Sequence, residues 1–291
     1  MTDSIIYLNG SLVSGNTAAL SPYDHGFLYG HGLFETMRSY RGKVFRLQSH
    51  LGRLANSMSM LGWPQFASDE EFEAAIHDTL AANQLSEASV RLTVSRGVGP
   101  ARPDAASCGK PTVMVFALPY VPLSQECYEE GWSLATVGIR RNLSSPLYSI
   151  KSANYLDNLL AKTEAQQRGA REALILNTAG NIAEGTMSNI FFVIAGKLVT
   201  PDLASGILPG VTRAVVLELA LQAGLLVEDR PVSPKEISEA TEVFLTSSLV
   251  EIIPVTMLDS HKIGDGRPGG ITRKLSTLYR EQVKIEIANN K

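Results

Sequence analysis

Cysteine is scarce in this 291-residue chain: only Cys108 and Cys127 occur, and they lack CxxC spacing. That usage points to reduced thiols in a cytoplasmic protein more than to a disulfide framework. Neither cysteine has a histidine beside it in the sequence, and no GxSxG occurs, so nucleophilic hydrolysis has no support. Excess positive charge is also missing. The formal net charge is −3 and no basic run is present, which gives no reason to expect nucleic acid or a membrane surface as partner. No apolar run approaches the roughly 18 residues of a spanning helix. The opening MTDSIIYLNG carries an acid and reads as neither signal nor transit peptide.

What is present is ordinary globular material, 44% apolar and 19% charged, in a chain long enough for one large domain or two modest ones. Asn9-Gly10 between two short apolar runs predicts a hairpin. Leu47, Leu51, Leu54, Met58 and Leu61 recur at helical spacing, and a second helix is expected near 70–85. Strand-like runs follow at 90–95 and 112–118. The stretch 119–131, with two prolines and a glycine, reads as a connection between a small domain at 1–118 and a larger one at 132–291. The second part reads as a strand at 132–139, a helix over 152–169 and hairpins around Gly180 and Gly196. A helix from Thr212 to Gly224, strands at 242–246 and 251–258, and a final helix over 270–287 complete it. Mixed strands and helices with several hairpins argue for an α/β chain built of α+β layers, not one doubly wound sheet.

Arg96-Gly97-Val98-Gly99 hints at dinucleotide binding, but Pro100 and Pro103 stop a helix from opening there, so a plain loop is the better reading. His25 and His31 have no third ligand at a metal-site spacing. Lys151, between the apolar run ending at Ile150 and the expected helix, is either a partly buried amine suited to imine chemistry or a stem snorkelling to water. Glu184 is either a partner for a protonated ring nitrogen or a surface acid. Gly206-Ile207-Leu208-Pro209-Gly210-Val211-Thr212 opens a helix whose N–H groups suit a phosphate, as any capped helix start would. Arg53 offers a fork to a phosphate, or simply faces solvent. Taken together these residues describe a phosphate, a pyridinium and an imine.

The ordered blocks carry more. Asp24 to Gly30 running into Gly32 to Arg38, His50 to Leu54, Lys151 to Ala161, Ala183 to Asn189, Leu208 to Arg213 and Thr246 to Pro254 resemble the class IV pyridoxal-phosphate (PLP) family over nearly the whole chain. The resemblance implies the two-domain type IV fold of D-amino-acid aminotransferases, with PLP between the domains, a small-molecule amino substrate and a homodimer. It further implies that Lys151 holds PLP as a Schiff base and later moves protons, and that Glu184 meets the ring nitrogen. Arg53, Val211, Thr212 and Ser248 hold the phosphate, and Tyr155 approaches the phenolic oxygen. Phe34, Arg38, Arg96, Arg102, Leu249 and Val250 then face the substrate.

Within that family the residues lean towards 4-amino-4-deoxychorismate lyase. Thr36 stands where branched-chain aminotransferases carry glycine, and its hydroxyl could assist a departing oxygen, although a β-branched residue filling strand space reads as simply. Ser247 to Pro254 and Leu20 to Gly30 also resemble lyases. Arg96 to Asp104 lacks the arginine–alanine–histidine trap of the D-amino-acid enzymes, with Arg102 displaced by one place and Pro103 in the histidine position. An aminotransferase of the same fold is the alternative expectation, because Lys151 to Ala161 suits both. Two other readings are a PLP carrier without turnover, which Thr36 and Arg38 oppose, and a scaffold binding no cofactor.

Overall fold

In a computed structural model, which describes residues 4–289, the chain falls into two compact units. One comprises the chain through Val121 with Ile150–Asn154 and the residues from Ile285; the other comprises Pro122–Ser149 and Tyr155–Lys284. The sequence suggested a single cut at 119–131. Instead, a five-residue segment from the middle of the chain and the end of the last helix return to the first unit.

The first unit is an antiparallel sheet with two helices on one face. Its elements are β1 (Ile5–Leu8), β2 (Ser11–Ser14), α1 (His25–Tyr29), β3 (Gly32–Tyr40), β4 (Lys43–Val44), α2 (Leu47–Met60), α3 (Asp69–Ala82), β5 (Ala88–Ser95) and β6 (Thr112–Pro119), with strand order β2-β1-β6-β5-β3-β4. The hairpin expected at Asn9-Gly10 forms, Leu8 pairing with Ser11. Helix α3 starts on a reciprocal cap: Ser68 accepts from the Glu71 N–H while the Glu71 side chain accepts from the Ser68 N–H. Phe72, Ile76 and Leu80 then fall on one side, packed with Leu47, Leu51, Leu54 and Met58 of α2 against Leu33, Met37, Val90, Leu92 and Val94 of the sheet. Alternation along β3 sorts its side chains between two faces. Leu33, Glu35 and Met37 face α2, while Phe34, Thr36 and Arg38 point to the opposite face.

The second unit holds a mixed sheet, ordered β12-β11-β10-β13-β14-β7-β8-β9, with β15 added beside β14. Its elements are α4 (Gln125–Glu130), β7 (Trp132–Arg141), α5 (Leu156–Gln167), β8 (Glu172–Asn177), β9 (Ile182–Glu184), β10 (Asn189–Ile194) and β11 (Lys197–Thr200). They continue as α6 (Val211–Gln222), β12 (Val227–Asp229), β13 (Ala240–Ser247), β14 (Glu251–Leu258), β15 (His261–Lys262) and α7 (Gly270–Asn289). β7 and β8 are parallel neighbours joined through α5, which packs closely because Ala161 and Ala165 meet Ala135, Val137 and Ala173. The stretch read as a plain connection contains α4, and α5 begins at Leu156, not Ser152.

Leu54 is 2% exposed at the centre of the first core. Leu54→Ala should cost about 2–5 kcal/mol from the lost transfer energy and the cavity left behind. Calorimetric melting would register this as a lower Tm for the transition that carries the first unit.

Candidate active site

In the first unit, the segment carrying Lys151 is held as an added rung on β3. The Phe34 N–H donates to the Lys151 carbonyl at 2.9 Å, the Ala153 N–H donates to the Gly32 carbonyl at 2.8 Å, and Leu33 and Ser152 form a bridge. Ile150 is buried in the core beneath. The Asn154 amide donates to the Gly30 carbonyl at 2.9 Å. Gly30 sits at φ +64, where a side chain is strained, and a Cβ there would come within 2.8 Å of the Asn154 oxygen. The Lys151 Nζ lies 4.7 Å from the centre of the Phe34 ring, and the Arg91 guanidinium lies 3.8 Å from that same ring. Arg91 is opposite Thr36 across β3 and β5. One aromatic ring thus carries two cations.

On the other face of β3, Glu35 is fully buried. It accepts from His50 Nδ1 at 2.8 Å, from Arg53 Nε at 2.8 Å and from Arg53 Nη2 at 2.5 Å. Burial alone would raise the carboxyl pKa, but the Arg53 charge and the His50 hydrogen bond hold it at about 2. Because an ionised carboxylate only accepts, His50 Nδ1 carries a proton. Burial pushes the imidazole pKa down, against the pull of Glu35.

Arg38 is buried between the rings of Tyr40 and Tyr120, each 4.3 Å from its guanidinium carbon. In the β5–β6 loop, Arg96 donates to the Gly109 carbonyl at 3.0 Å, and the outward-facing Arg102 pairs with Asp104 at 3.3 Å. The sequence separation of cysteine and histidine is misleading. Cys108 Sγ sits 3.2 Å from His25 Nδ1, across 83 positions. His25 Nε2 is 2.9 Å from the Pro100 carbonyl and must donate there, which leaves Nδ1 to accept the thiol proton. Burial raises the Cys108 pKa, and the pair ties the loop that carries Cys108 to α1. His31 accepts from Trp63 Nε1 at 3.2 Å.

In the second unit, Tyr155 stands just before α5 and its hydroxyl donates to the Thr186 carbonyl at 3.0 Å; the Asn158 amide donates to the same oxygen. Burial raises the Tyr155 pKa to about 12. Thr186 is itself anchored, its hydroxyl donating at 2.6 Å to the buried Glu172, which also pairs with Lys162 at 3.0 Å. Glu184, at the end of β9, meets Arg141 Nη2 at 3.1 Å and accepts from the Asn189 amide at 3.2 Å and the Leu208 N–H at 3.0 Å.

The Leu208 loop leads into α6, whose cap is Gly210 and whose first turn holds the buried Val211 and Thr212 and no acid. A Cβ at Gly210 would lie 1.9 Å from the Asn189 amide oxygen, so only glycine lets the loop close on Asn189. Arg213 turns inward to Asp229 at 2.7 Å, leaving backbone N–H groups and the Thr212 hydroxyl as the donors of the helix start. Ser248, Leu249 and Val250 form the β13–β14 turn, held where Tyr128 donates to the Val250 carbonyl at 3.1 Å. Among the described residues no cluster of three potential metal ligands exists, and no helix is long and apolar enough to cross a membrane.

A helix start with no side-chain cap and no acid in its first turn suits a phosphate dianion. A carboxylate ringed by donors suits a protonated ring nitrogen, and an amine fixed on a sheet edge suits imine chemistry. The amino-transferase class IV family profile matches residues 32–258. The chain belongs to the class IV aminotransferases. These enzymes are PLP-dependent, and each unit taken by itself offers groups of the kind that cofactor needs, an amine in the first and a carboxylate and an acid-free helix start in the second. The chain is 40% identical to a protein of Methanocaldococcus jannaschii assigned provisionally as a branched-chain-amino-acid aminotransferase, over 95% of both chains. It is 36% identical to the aminodeoxychorismate lyase of Bacillus subtilis, over 96% of this chain and 95% of the relative. Among solved structures it is similar to the branched-chain amino acid aminotransferase from Thermobaculum terrenum in its PLP form. That likeness has a TM-score of 0.86 and 32% identity, covering 97% of this chain and 94% of the other.

Sequence reasoning passed over Arg91, and it assigned no role to Glu35, His50, Asn189 or Arg141. Buried Val90, Leu92 and Val94 alternate with Arg91, so its face was readable, but its pairing with Thr36 was not.

Two outcomes are expected. The folded pKa of Glu35 lies below its ordinary 4.5, so its pairing contributes stability that is full above about pH 4.5 and is lost as pH falls towards 2. The gap corresponds to about 3 kcal/mol. Denaturant melts at several pH values should therefore show Glu35→Gln weaker than the parent at pH 7, with the two converging only as pH falls towards 2. Gly210→Ala should push Asn189 off Glu184 and weaken PLP binding, as measured by titration of the apo-protein.

Proposed function

We propose that the chain is a 4-amino-4-deoxychorismate lyase, releasing 4-aminobenzoate and pyruvate. The observation that carries this reading is Thr36, which shares a strand face with Phe34, the ring that Lys151 approaches at 4.7 Å. Bound PLP supplies the electron sink for charge at the substrate carbon bearing nitrogen. Lys151 would remove the proton from that carbon. The Thr36 hydroxyl donates a hydrogen bond to the departing ether oxygen on the neighbouring carbon. Arg91, fixed on the Phe34 ring, offers a cation for a substrate carboxylate. Glu184 would meet the ring nitrogen and Tyr155 the phenolic oxygen, while Arg53, Thr212, Ser248 and the N–H of Val211 would hold the phosphate. Arg38, Arg96, Arg102, Leu249 and Val250 border the substrate. Exposed Phe27, Leu28 and Tyr29 on α1 support a homodimer.

A second reading, an aminotransferase passing the amino group to a 2-keto acid, is favoured by the 40% identity to the Methanocaldococcus jannaschii protein and by the solved neighbours. The discriminating assay measures 4-aminobenzoate released from freshly made aminodeoxychorismate by PLP-loaded protein without any keto acid. Multiple turnovers are expected from the parent. Thr36→Ala should lower kcat by about 100-fold, within the range for loss of one proton donor, and Lys151→Ala should abolish turnover. Amino transfer to 2-oxoglutarate with no 4-aminobenzoate would replace the lyase by the second reading, and full activity of Lys151→Ala would overturn the site.

A further inference from the structure

The face of β3 that meets α2 is otherwise a leucine-rich core, with Leu33 and Met37 wholly buried on either side of Glu35. A carboxylate there has to give up its hydration, and an ion pair in such a place is commonly no more stabilising than apolar side chains of the same volume. Packing therefore does not explain an acid at this position. Geometry does. Glu35 grips Arg53 side-on, through Nε and Nη2 together, which fixes the plane and rotation of the guanidinium where a single contact would leave it swinging. The same carboxylate takes the Nδ1 proton of His50. Exposure rises along the network, from 1% for the Glu35 side chain and 2% for His50 to 10% for Arg53. The arginine is thus the end of the network that reaches outward.

We infer that Glu35 is a positioning residue for cofactor binding: it orients Arg53 towards the cofactor phosphate and fixes the tautomer of His50. The inference rests on the reading that Arg53 meets that phosphate. Glu35 itself touches neither substrate nor cofactor, and its effect passes through the arginine. The consequence is selective. Losing Glu35 should weaken binding of ligands that carry the phosphate and spare those that lack it, whereas a merely structural role would weaken both alike.

The test compares PLP with pyridoxal, which lacks the phosphate, by titrating the apo-forms of the full-length parent, Glu35→Gln, Glu35→Asp and Arg53→Ala. In Glu35→Gln the PLP dissociation constant should rise by about tenfold or more, the loss expected for one misdirected charge-assisted hydrogen bond, with pyridoxal affinity unchanged. Glu35→Asp, which keeps the charge, should recover part of the preference. If Arg53→Ala loses the preference and Glu35→Gln keeps it, the positioning role is overturned while the phosphate reading stands. If Arg53→Ala keeps it, the phosphate reading falls and the inference with it. Should the Glu35 variants not fold, nitrogen-15 NMR of the parent decides. A slowly exchanging Arg53 Nε–H and an Nδ1–H tautomer of His50 are expected, and a rapidly exchanging Nε–H overturns the proposal.

Discussion

The backbone hydrogen bond from Phe34 to the Lys151 carbonyl governs the placement of that lysine within the first unit, because it converts a lysine on a connecting segment into a lysine on a sheet edge. β3 is flanked by β5 from Gly32 to Ser39, but on its other side β4 pairs only with Ser39 and Tyr40. The early part of that edge, Gly32 to Phe34, would leave buried N–H and C=O groups without partners. Lys151 to Ala153 supplies them. A ladder bond of this kind fixes the position and direction of the Cα–Cβ vector far better than a loop does, and a reactive amine needs that constancy. The buried Ile150 anchors the segment from one side and Asn154, on Gly30, from the other.

Buried charge follows one pattern in both units. Glu35 is held by an arginine fork and a histidine, and Glu184 by an arginine, a side-chain amide and a backbone N–H. Removing a carboxylate from water costs several kcal/mol unless its oxygens are met by donors. Here the donors are supplied in advance by α2 in one case and by β7, β10 and the Leu208 loop in the other. Preorganised charges need not reorganise when a ligand arrives, which is the property a cofactor site requires. Glu172 shows the same economy at one remove. It holds Thr186, and the Thr186 carbonyl takes the Tyr155 hydroxyl.

Much of the scaffold was legible in the sequence because its signals are local. The Asn9-Gly10 turn, the apolar spacing of α2 and α3 and the Gly210 opening of α6 each need only a few neighbouring residues to be read. The departures arise where distant strands decide. Ser152 to Tyr155 has helical character, yet α5 starts at Leu156 because Ser152 and Ala153 pair with β3, some 120 positions earlier. β3 itself gave no period-2 signal, since both of its faces are largely buried and Glu35 interrupts the apolar face. α4 hides behind the prolines of 119–131. The chemistry divides in the same way. Lys151, Glu184 and Tyr155 stood out through their sequence blocks, whereas Arg91 and Glu35 gain meaning only once β3 is paired with β5 and packed on α2.

A single strand therefore serves two purposes that its register keeps apart. Side chains alternate along β3, so a slip of one residue would turn Glu35 out of the core and Thr36 into it. Leu33 and Met37, both fully buried, make such a slip costly, because each would trade a packed site for the opposite face. The core thus sets the phase and the functional residues inherit it. A change of chemistry at position 36 would leave the register intact, because that side chain does not set it. Position 35 lacks that freedom, because its carboxylate is met by Arg53 and His50 on the helix above. Differences among enzymes built on this strand should accordingly concentrate on the Phe34–Thr36–Arg38 face, where substrate chemistry can vary without disturbing the packing that fixes the lysine.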